Sequence, residues 1–264
     1  MNAPLPAPLD VKLMNWTASA LFVCCAALVL AAGARWLLGR PAFAIHRIVV
    51  QGDLVHNNAV SLRPMVMPSL AGNFFTVDLE AVRAAFAQAP WVRSVQVRRE
   101  FPSGLRVVLR EHDAVALWGA ESESKLLNSD GEVFEAEADD EEQDSLPRLQ
   151  GPQGQAGEVL AMYHRLVPVF EPLGLELDEL QLSGRGGWRA QLDSGAAVEL
   201  GGGTPEAVVA RTQRFARTLA QVAQQYRRSP EALESADLRH DGGYAVRLRG
   251  VTTVSDDKAA KKVR

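Results

Sequence analysis

The chain has 264 residues, 47% of them hydrophobic, which leaves room for one or two domains with a proper core. Lys plus Arg number 28 against 32 Asp plus Glu, a net charge of -4, so no overall basic field marks a nucleic-acid binder. The two cysteines, Cys24 and Cys25, are adjacent in an apolar run, too few for a zinc site and badly placed for a disulfide.

In chain order, the first element is an apolar helix. From Leu13 to Ala34 there are 22 residues without a charge, about 33 Å as a helix and enough to cross a bilayer core. Trp16 and Trp36 stand near its ends, where indoles favour the membrane interface, and Arg35 and Arg40 can snorkel. The span is read as a single-pass anchor over residues 13–38, with a short tail, 1–12, before it. Two other readings compete. A core helix would carry a polar face, whereas Asn15, Thr17 and Ser19 cluster at the start. A cleaved signal would use Ala32-Gly33-Ala34, but its apolar core would be shorter and a basic cluster would precede it. Arg35, Arg40 and Arg47 after the span, against Lys12 before it, point the large C-terminal part to the cytoplasm if charge alone decides.

Residues 43–111 read as β-α-α-β-β. "AIHRIVVQG" alternates and stops at Gly52, and "NNAVSLRPMV" is a short helix broken by Pro64. Asp78 caps a helix with Leu79, Val82 and Phe86 on one face. "WVRSVQVRRE" and "LRVVLRE" form a hairpin turned at "FPSG".

Residues 112–250 form a second unit. "AVALW" is a strand, and "KLLNSDGEVFE" is a hairpin turned at Asp130-Gly131. A helix follows with Val159, Tyr163, Leu166 and Phe170 on one face, kinked or ended by Pro168 and Pro172. Three strands come next, in "LELDELQLSG", "GWRAQLDSG" and "AVELG". Thr204-Pro205 opens a long helix with Val208, Phe215, Leu219, Val222 and Tyr226 facing the core. "DLRHDGGYAVRLRG" supplies the final pair of strands. The fold class is α+β: an N-terminal transmembrane helix, a small three-stranded domain, and a mostly antiparallel β-domain with two packed helices. The tail 251–264 is polar and reads as disordered.

Candidate chemistry is weak throughout. Residues 135–144 hold seven carboxylates in ten, but without the glycine and fixed ligand spacing of a calcium loop, so they read as a solvated, flexible insertion. Gly201-Gly202-Gly203 precedes a helix without the lysine of a phosphate loop and reads as a strand-to-helix turn. The five histidines are scattered, and no Gly-x-Ser-x-Gly elbow occurs. His240 and Asp241, neighbours in a strand, would face opposite sides and share neither a metal nor a proton. No catalytic, cofactor or metal residue is assigned. The returning strand is different: Tyr244, Val246 and Leu248 face one way and Arg247 and Arg249 the other. At a sheet edge it would accept an added strand from a partner. The competing reading is an edge covered by the chain's own tail.

The run "FFTVDLEAV", "APWVRSVQVRREFPSGLRVVLRE" and "AVALW" resembles the POTRA domain of the FtsQ/DivIB cell-division family. POTRA domains of outer-membrane assembly proteins come in several copies with a barrel, and neither is visible here. The family usually has proline where Ala114 stands. "LPRLQGPQG", "GWRAQLDSGAAVELG" and "DLRHDGGYAVRL" match, in order, stretches of the family's β-domain.

The resemblance implies a non-enzymatic scaffold with its N-terminus in the cytoplasm and its folded part in the periplasm. It implies that the last strand recruits FtsB, and through it FtsL, at the division septum. FtsK, FtsW and FtsI are further implied partners; no nucleic acid, cofactor or small-molecule substrate is implied. Carried onto this sequence, the partner-binding residues are Arg185, Arg239, His240, Tyr244, Ala245, Val246, Arg247 and Leu248. The family often has aromatics where His240 and Leu248 stand. Two further function classes are a POTRA-bearing periplasmic chaperone or transport adaptor and an anchored enzyme.

Overall fold

The computed structural model describes residues 9–52, 54–120, 125–240 and 242–251. The chain separates into two compact units, Met1–Glu111 and His112–Arg264.

In the first unit, helix α1 runs Leu9–Leu38, about 45 Å. No side chain from Asp10 to Trp36 is buried, whereas a helix inside a soluble core hides its apolar face. By length and composition this stretch can cross a membrane. A short 3-10 turn, Pro41–Phe43, leads to strand β1, Arg47–Gln51. Helix α2, Ala59–Val66, starts at a capping box in which Asn58 and Ser61 satisfy each other's backbone N–H groups. It continues through Pro64, which removes one internal hydrogen bond without ending it. Helix α3, Leu79–Phe86, is capped by Asp78, whose carboxylate accepts from the Glu80 and Ala81 N–H groups. Strands β2, Val92–Glu100, and β3, Gly104–Glu111, complete a sheet ordered β1-β3-β2, with β1 parallel to the central β3. Leu62, Val66, Val82 and Phe86 from the helices meet Leu105, Val107 and Leu109 of β3 in one core. Gly52 is forced by contact as well as by its turn: its φ is +137°, and a Cβ there would lie 2.0 Å from the Leu109 carbonyl oxygen.

Glu111, which closes β3, ties this sheet to the loop after β1. Its side chain is only 6% exposed. Its carboxylate accepts from the N–H groups of Val55 (2.9 Å), His56 (3.0 Å) and Asn57 (2.9 Å), and from the Asn57 side-chain amide (2.9 Å). Burial works to raise its pKa; the hydrogen bonds, led by that of the His56 N–H, outweigh it and hold the pKa below the usual value.

In the second unit a nine-stranded sheet carries two long helices. Strands β4 (Ala114–Trp118), β5 (Lys125–Asn128) and β6 (Val133–Phe134) form a meander. The buried Asn128 shapes its second turn by accepting from the Asp130 and Glu132 N–H groups. Strand β7 is Arg148–Gln150, helix α5 Ala156–Phe170, strand β8 Leu177–Leu182, strand β9 Trp188–Leu192 and strand β10 Ala197–Gly201. Helix α6, Pro205–Gln225, has Thr204 as its N-cap; strands β11, Leu233–Asp237, and β12, Ala245–Leu248, end the fold. The order across the sheet is β12-β11-β10-β9-β8-β7-β4-β5-β6. Alternation is clean in β9, where Trp188, Ala190 and Leu192 are buried and Arg189 and Gln191 exposed. One face is therefore packed under α5 and α6, with Phe170 and Phe215 fully buried.

Several local readings change. The sheet is mostly antiparallel as expected, but β10–β11, β4–β7 and β7–β8 pair in parallel: α5 and α6 are the crossovers for β7–β8 and β10–β11, and the excursion through β5, β6 and the helix after them returns the chain for β4–β7. The acidic stretch contains a short helix, Asp140–Ser145 (α4), started by the Asp139 carboxylate accepting from the Glu142 N–H; carboxylates also suit the positive end of a helix. Tyr226 is 48% exposed and Val222 only partly buried, since the helical face drifts off the sheet edge by its last turn.

Candidate partner-binding edge

β12 is the last strand of the sheet on its side, paired only with β11 among the described residues. The first half of "DLRHDGGYAVRLRG" is not strand. β11 ends at Asp237 because the Asp237 carboxylate accepts the Arg239 backbone N–H at 3.0 Å, a local turn that diverts the chain. Leu238 is still tied to the sheet by its N–H to the Glu199 carbonyl (2.8 Å) and is buried, while His240 is exposed. The two therefore do not share one face of a strand. Asp241 lies outside the described residues, as do 252–264.

The register fixes which way the β12 backbone faces. Ala245 stands opposite Asp237, Val246 opposite Ala236 and Arg247 opposite Ser235. The Arg249 N–H donates to the Ala232 carbonyl at 2.8 Å. Strand alternation then turns the N–H and C=O of Arg247 and Ala245 toward β11, and those of Val246 toward the open side. The Leu248 carbonyl, also outward, accepts from the Val251 N–H at 3.2 Å, so the chain's own turn covers that end.

The side chains divide by face. Leu248 is buried, Val246 is half-buried, and the Tyr244 ring meets Phe215 edge-on with centroids 5.2 Å apart. The Tyr244 hydroxyl is hydrogen-bonded to Thr218 Oγ1 of α6. On the opposite face Arg247 pairs with Glu234 at 3.2 Å, and Arg249 donates to the Ser194 carbonyl. Ala245 is exposed. Beside the strand lies a hollow of about 570 Å³ lined by Val222, Tyr226, Tyr244, Val246, Arg247, Leu248 and Val251. Its wall from α6 uses the two residues that a core reading of the helix had absorbed. The signal was present as an i, i+4 apolar pair; only the position of the sheet edge shows that no strand among the described residues lies over it.

Arg239 is engaged by its own chain. Its guanidinium donates to both oxygens of Asp237, Nε at 2.9 Å and Nη2 at 2.6 Å. That pair, with the Arg239 backbone N–H next, holds the Asp237 pKa down to about 2. Arg185 sits exposed in the β8–β9 turn, with no ion pair among the described residues. That turn closes when Gly186 N–H reaches the Ser183 carbonyl and Ser183 N–H the Gly187 carbonyl.

The two arginines belong to the same end of the sheet. A Cβ on Gly202 would meet the Gly186 carbonyl at 3.1 Å, and one on Gly201 (φ +78°) would meet Arg239 Cγ at 3.1 Å and Arg211 Nη1 at 2.5 Å. Glycines there let three turns crowd together. Across the sheet, the β8–β9 turn that carries Arg185 lies three to four strand spacings from β12, about 14–19 Å. Among the described residues no group of His, Cys, Asp or Glu side chains gathers to hold a metal.

Known proteins match this sequence along most of its length. A family model for the FtsQ-type POTRA domain matches residues 43–112, and one for the C-terminal region of the cell division protein FtsQ/DivIB matches 116–239. A cell division protein FtsQ from Burkholderia pseudomallei is 38% identical over 96% of this chain and 99% of its own length.

The chain belongs to the FtsQ/DivIB family.

FtsQ proteins from Thiomonas arsenitoxydans (34% identical, 98% of this chain and 95% of the relative) and Bordetella pertussis (33%, 96% and 98%) agree. Membership makes this a cell-division protein, and the apolar α1 fits a single-pass membrane anchor. The FtsQ/DivIB C-terminal match ends at Arg239, so β12 lies beyond the residues that define it.

Proposed function

We propose that this chain is a non-enzymatic, bitopic inner-membrane scaffold of the bacterial division machinery. Its N-terminal tail is cytoplasmic and its two folded units are periplasmic, concentrated at the midcell septum. It captures the periplasmic part of FtsB, and with it FtsL, by adding a partner strand to β12. It thereby links early division proteins such as FtsK to FtsW and FtsI and helps control septal wall synthesis.

The observation that carries this reading is the outer edge of β12, whose Val246 backbone groups face away from β11 beside the hollow lined by Val222, Tyr226, Tyr244 and Val246. An incoming strand satisfies those groups and drops a side chain into the hollow; main-chain bonds give affinity and the hollow gives selectivity. Arg239 and Arg185 meet partner carboxylates beyond the strand, Arg239 by sharing Asp237 or exchanging it for an incoming acid. His240 and Ala245 border the entry point, and Arg247 lines the hollow's rim.

Val246→Pro tests the idea selectively. It removes an outward N–H and leaves the donors that hold β12 to β11. A pull-down of FtsB by the full-length variant should fail while hydrogen exchange in β1–β3 is unchanged. Undiminished capture would refute strand addition, and equal capture of many unrelated extended peptides by the native chain would favour a chaperone-like adaptor instead.

A further inference from the structure

Four phenylalanines form one cluster where the first folded unit begins, just past the membrane-crossing helix. Phe43 and Phe75 meet edge-on with centroids 5.0 Å apart, Phe75 and Phe74 at 5.2 Å, and Phe74 and Phe101 at 6.1 Å. Phe74 is the buried member. Phe75 is 46% exposed and Phe101 77% exposed, two exposed rings joined through the buried Phe74 rather than scattered single apolar residues.

The exposure is built in. Arg99 donates from Nε to the Phe74 carbonyl (2.7 Å) and from Nη2 to the Val77 carbonyl (2.8 Å), and the Asn73 carboxamide accepts from the Phe75 N–H (2.9 Å). These bonds fix the loop that presents Phe75. Phe101 stands at the tip of the β2–β3 hairpin.

The position names the occupant. Phe43 follows the last residue of α1, Leu38, by five residues, at most about 17 Å of extended chain. The 3-10 turn shortens this, and the Phe74 N–H to Phe43 carbonyl bond (2.8 Å) locks Phe43 to the folded unit. At the end of α1, Trp36 carries the Arg40 guanidinium 3.7 Å from its ring centroid, an aromatic and a cation suited to the headgroup level. Arg40 and Arg47, on either side of Phe43, are both exposed and complement anionic headgroups.

We propose that the exposed aromatics of this cluster, Phe75 and Phe101 with Phe43, insert into the headgroup–acyl boundary of the bilayer that α1 crosses. They hold the first folded unit down on the membrane as a second, non-covalent foothold, as apolar side chains do in interfacial anchors. The proposal rests on α1 spanning a bilayer and is independent of what binds β12.

The full chain, with Cys24→Ala and Cys25→Ala, is reconstituted in vesicles of phosphatidylethanolamine and phosphatidylglycerol. A spin label is placed by Phe101→Cys, and for comparison by Gln88→Cys, in the turn that leads from α3 to the start of β2, a nine-residue strand about 30 Å long that ends just before Phe101. A third sample keeps Cys24 alone as the label site in α1. Power saturation should show the label at 101 several-fold more accessible to oxygen than to a polar nickel chelate, the reverse at 88, and a further Phe75→Asp change should shift 101 toward the aqueous pattern. A label at 101 as aqueous as that at 88, with Cys24 in lipid, would overturn the proposal alone. A label at 101 shielded from both reagents would also overturn it, in favour of a protein contact. An aqueous Cys24 would overturn the membrane span itself.

Discussion

Truncating Tyr244 tests whether α6 holds the edge strand in place before any partner arrives. Tyr244→Phe removes the hydroxyl bonded to Thr218, about 1 kcal/mol for a bond of this kind. Tyr244→Ala also removes the edge-on contact with Phe215, about 1 kcal/mol beyond area, and the burial of half a ring, about another 1 kcal/mol. β12 has four residues, so these losses act on local opening rather than on the whole domain. Hydrogen exchange by mass spectrometry on the full chain in micelles reads this directly in the peptide over 244–251. The amides of Ala245, Arg247 and Arg249 should exchange about 5-fold faster in the Phe variant and on the order of 100-fold faster in the Ala variant, at 1.36 kcal/mol per decade. Equal rates in the two variants, or acceleration spread evenly into β7 and β8, would refute the idea that α6 moors the edge through this side chain.

Glu111→Gln should destabilise the first unit by about 1–3 kcal/mol, because an amide offers one acceptor oxygen where four donors converge and Asn57 is nearly buried. Its pH dependence is the sharper measurement. The folded pKa is lowered, so the stabilisation is complete above the unfolded value of about 4.3 and fades as pH falls through the lower folded value. Melting followed over that acid range should slope in the native chain and flatten in the variant. At the edge, Asp237 should titrate near 2 in a carboxyl NMR experiment, with the Arg239 clamp complete above about pH 4 and lost as pH drops through about 2. Since Arg239 is 61% exposed, Asp237→Asn should cost only about 0.5–1 kcal/mol, and an Asp237 that titrates near 4 would show that the clamp does not form in solution.

Much of this was legible in the residues themselves. The apolar run before Arg35, the Asp78 and Thr204 caps, the alternation of "GWRAQL" and the turn at Asp130-Gly131 each express an interaction within a few positions of the chain. The family is equally readable, because its motifs are short and ordered. The misreadings share a cause. "DLRH" alternates as a strand should, yet the Asp237 carboxylate captures the Arg239 N–H, a competition that alternation does not register. Tyr226 and Val222 continue the apolar face of α6, and the helix outruns the sheet that would have covered them.

The sequence by itself determined most of the elements, the membrane-length helix and the family, since each depends on periodicity, capping or turn chemistry in a local window. Only the tertiary structure decided that β11 joins β10 in parallel, matching Ala197 with Ser235, and so leaves β12 outermost with the Val246 backbone turned outward. Which strand becomes an edge is set by pairings between residues far apart in the chain, and no local pattern in β12 records that, among the described residues, it pairs on one side only.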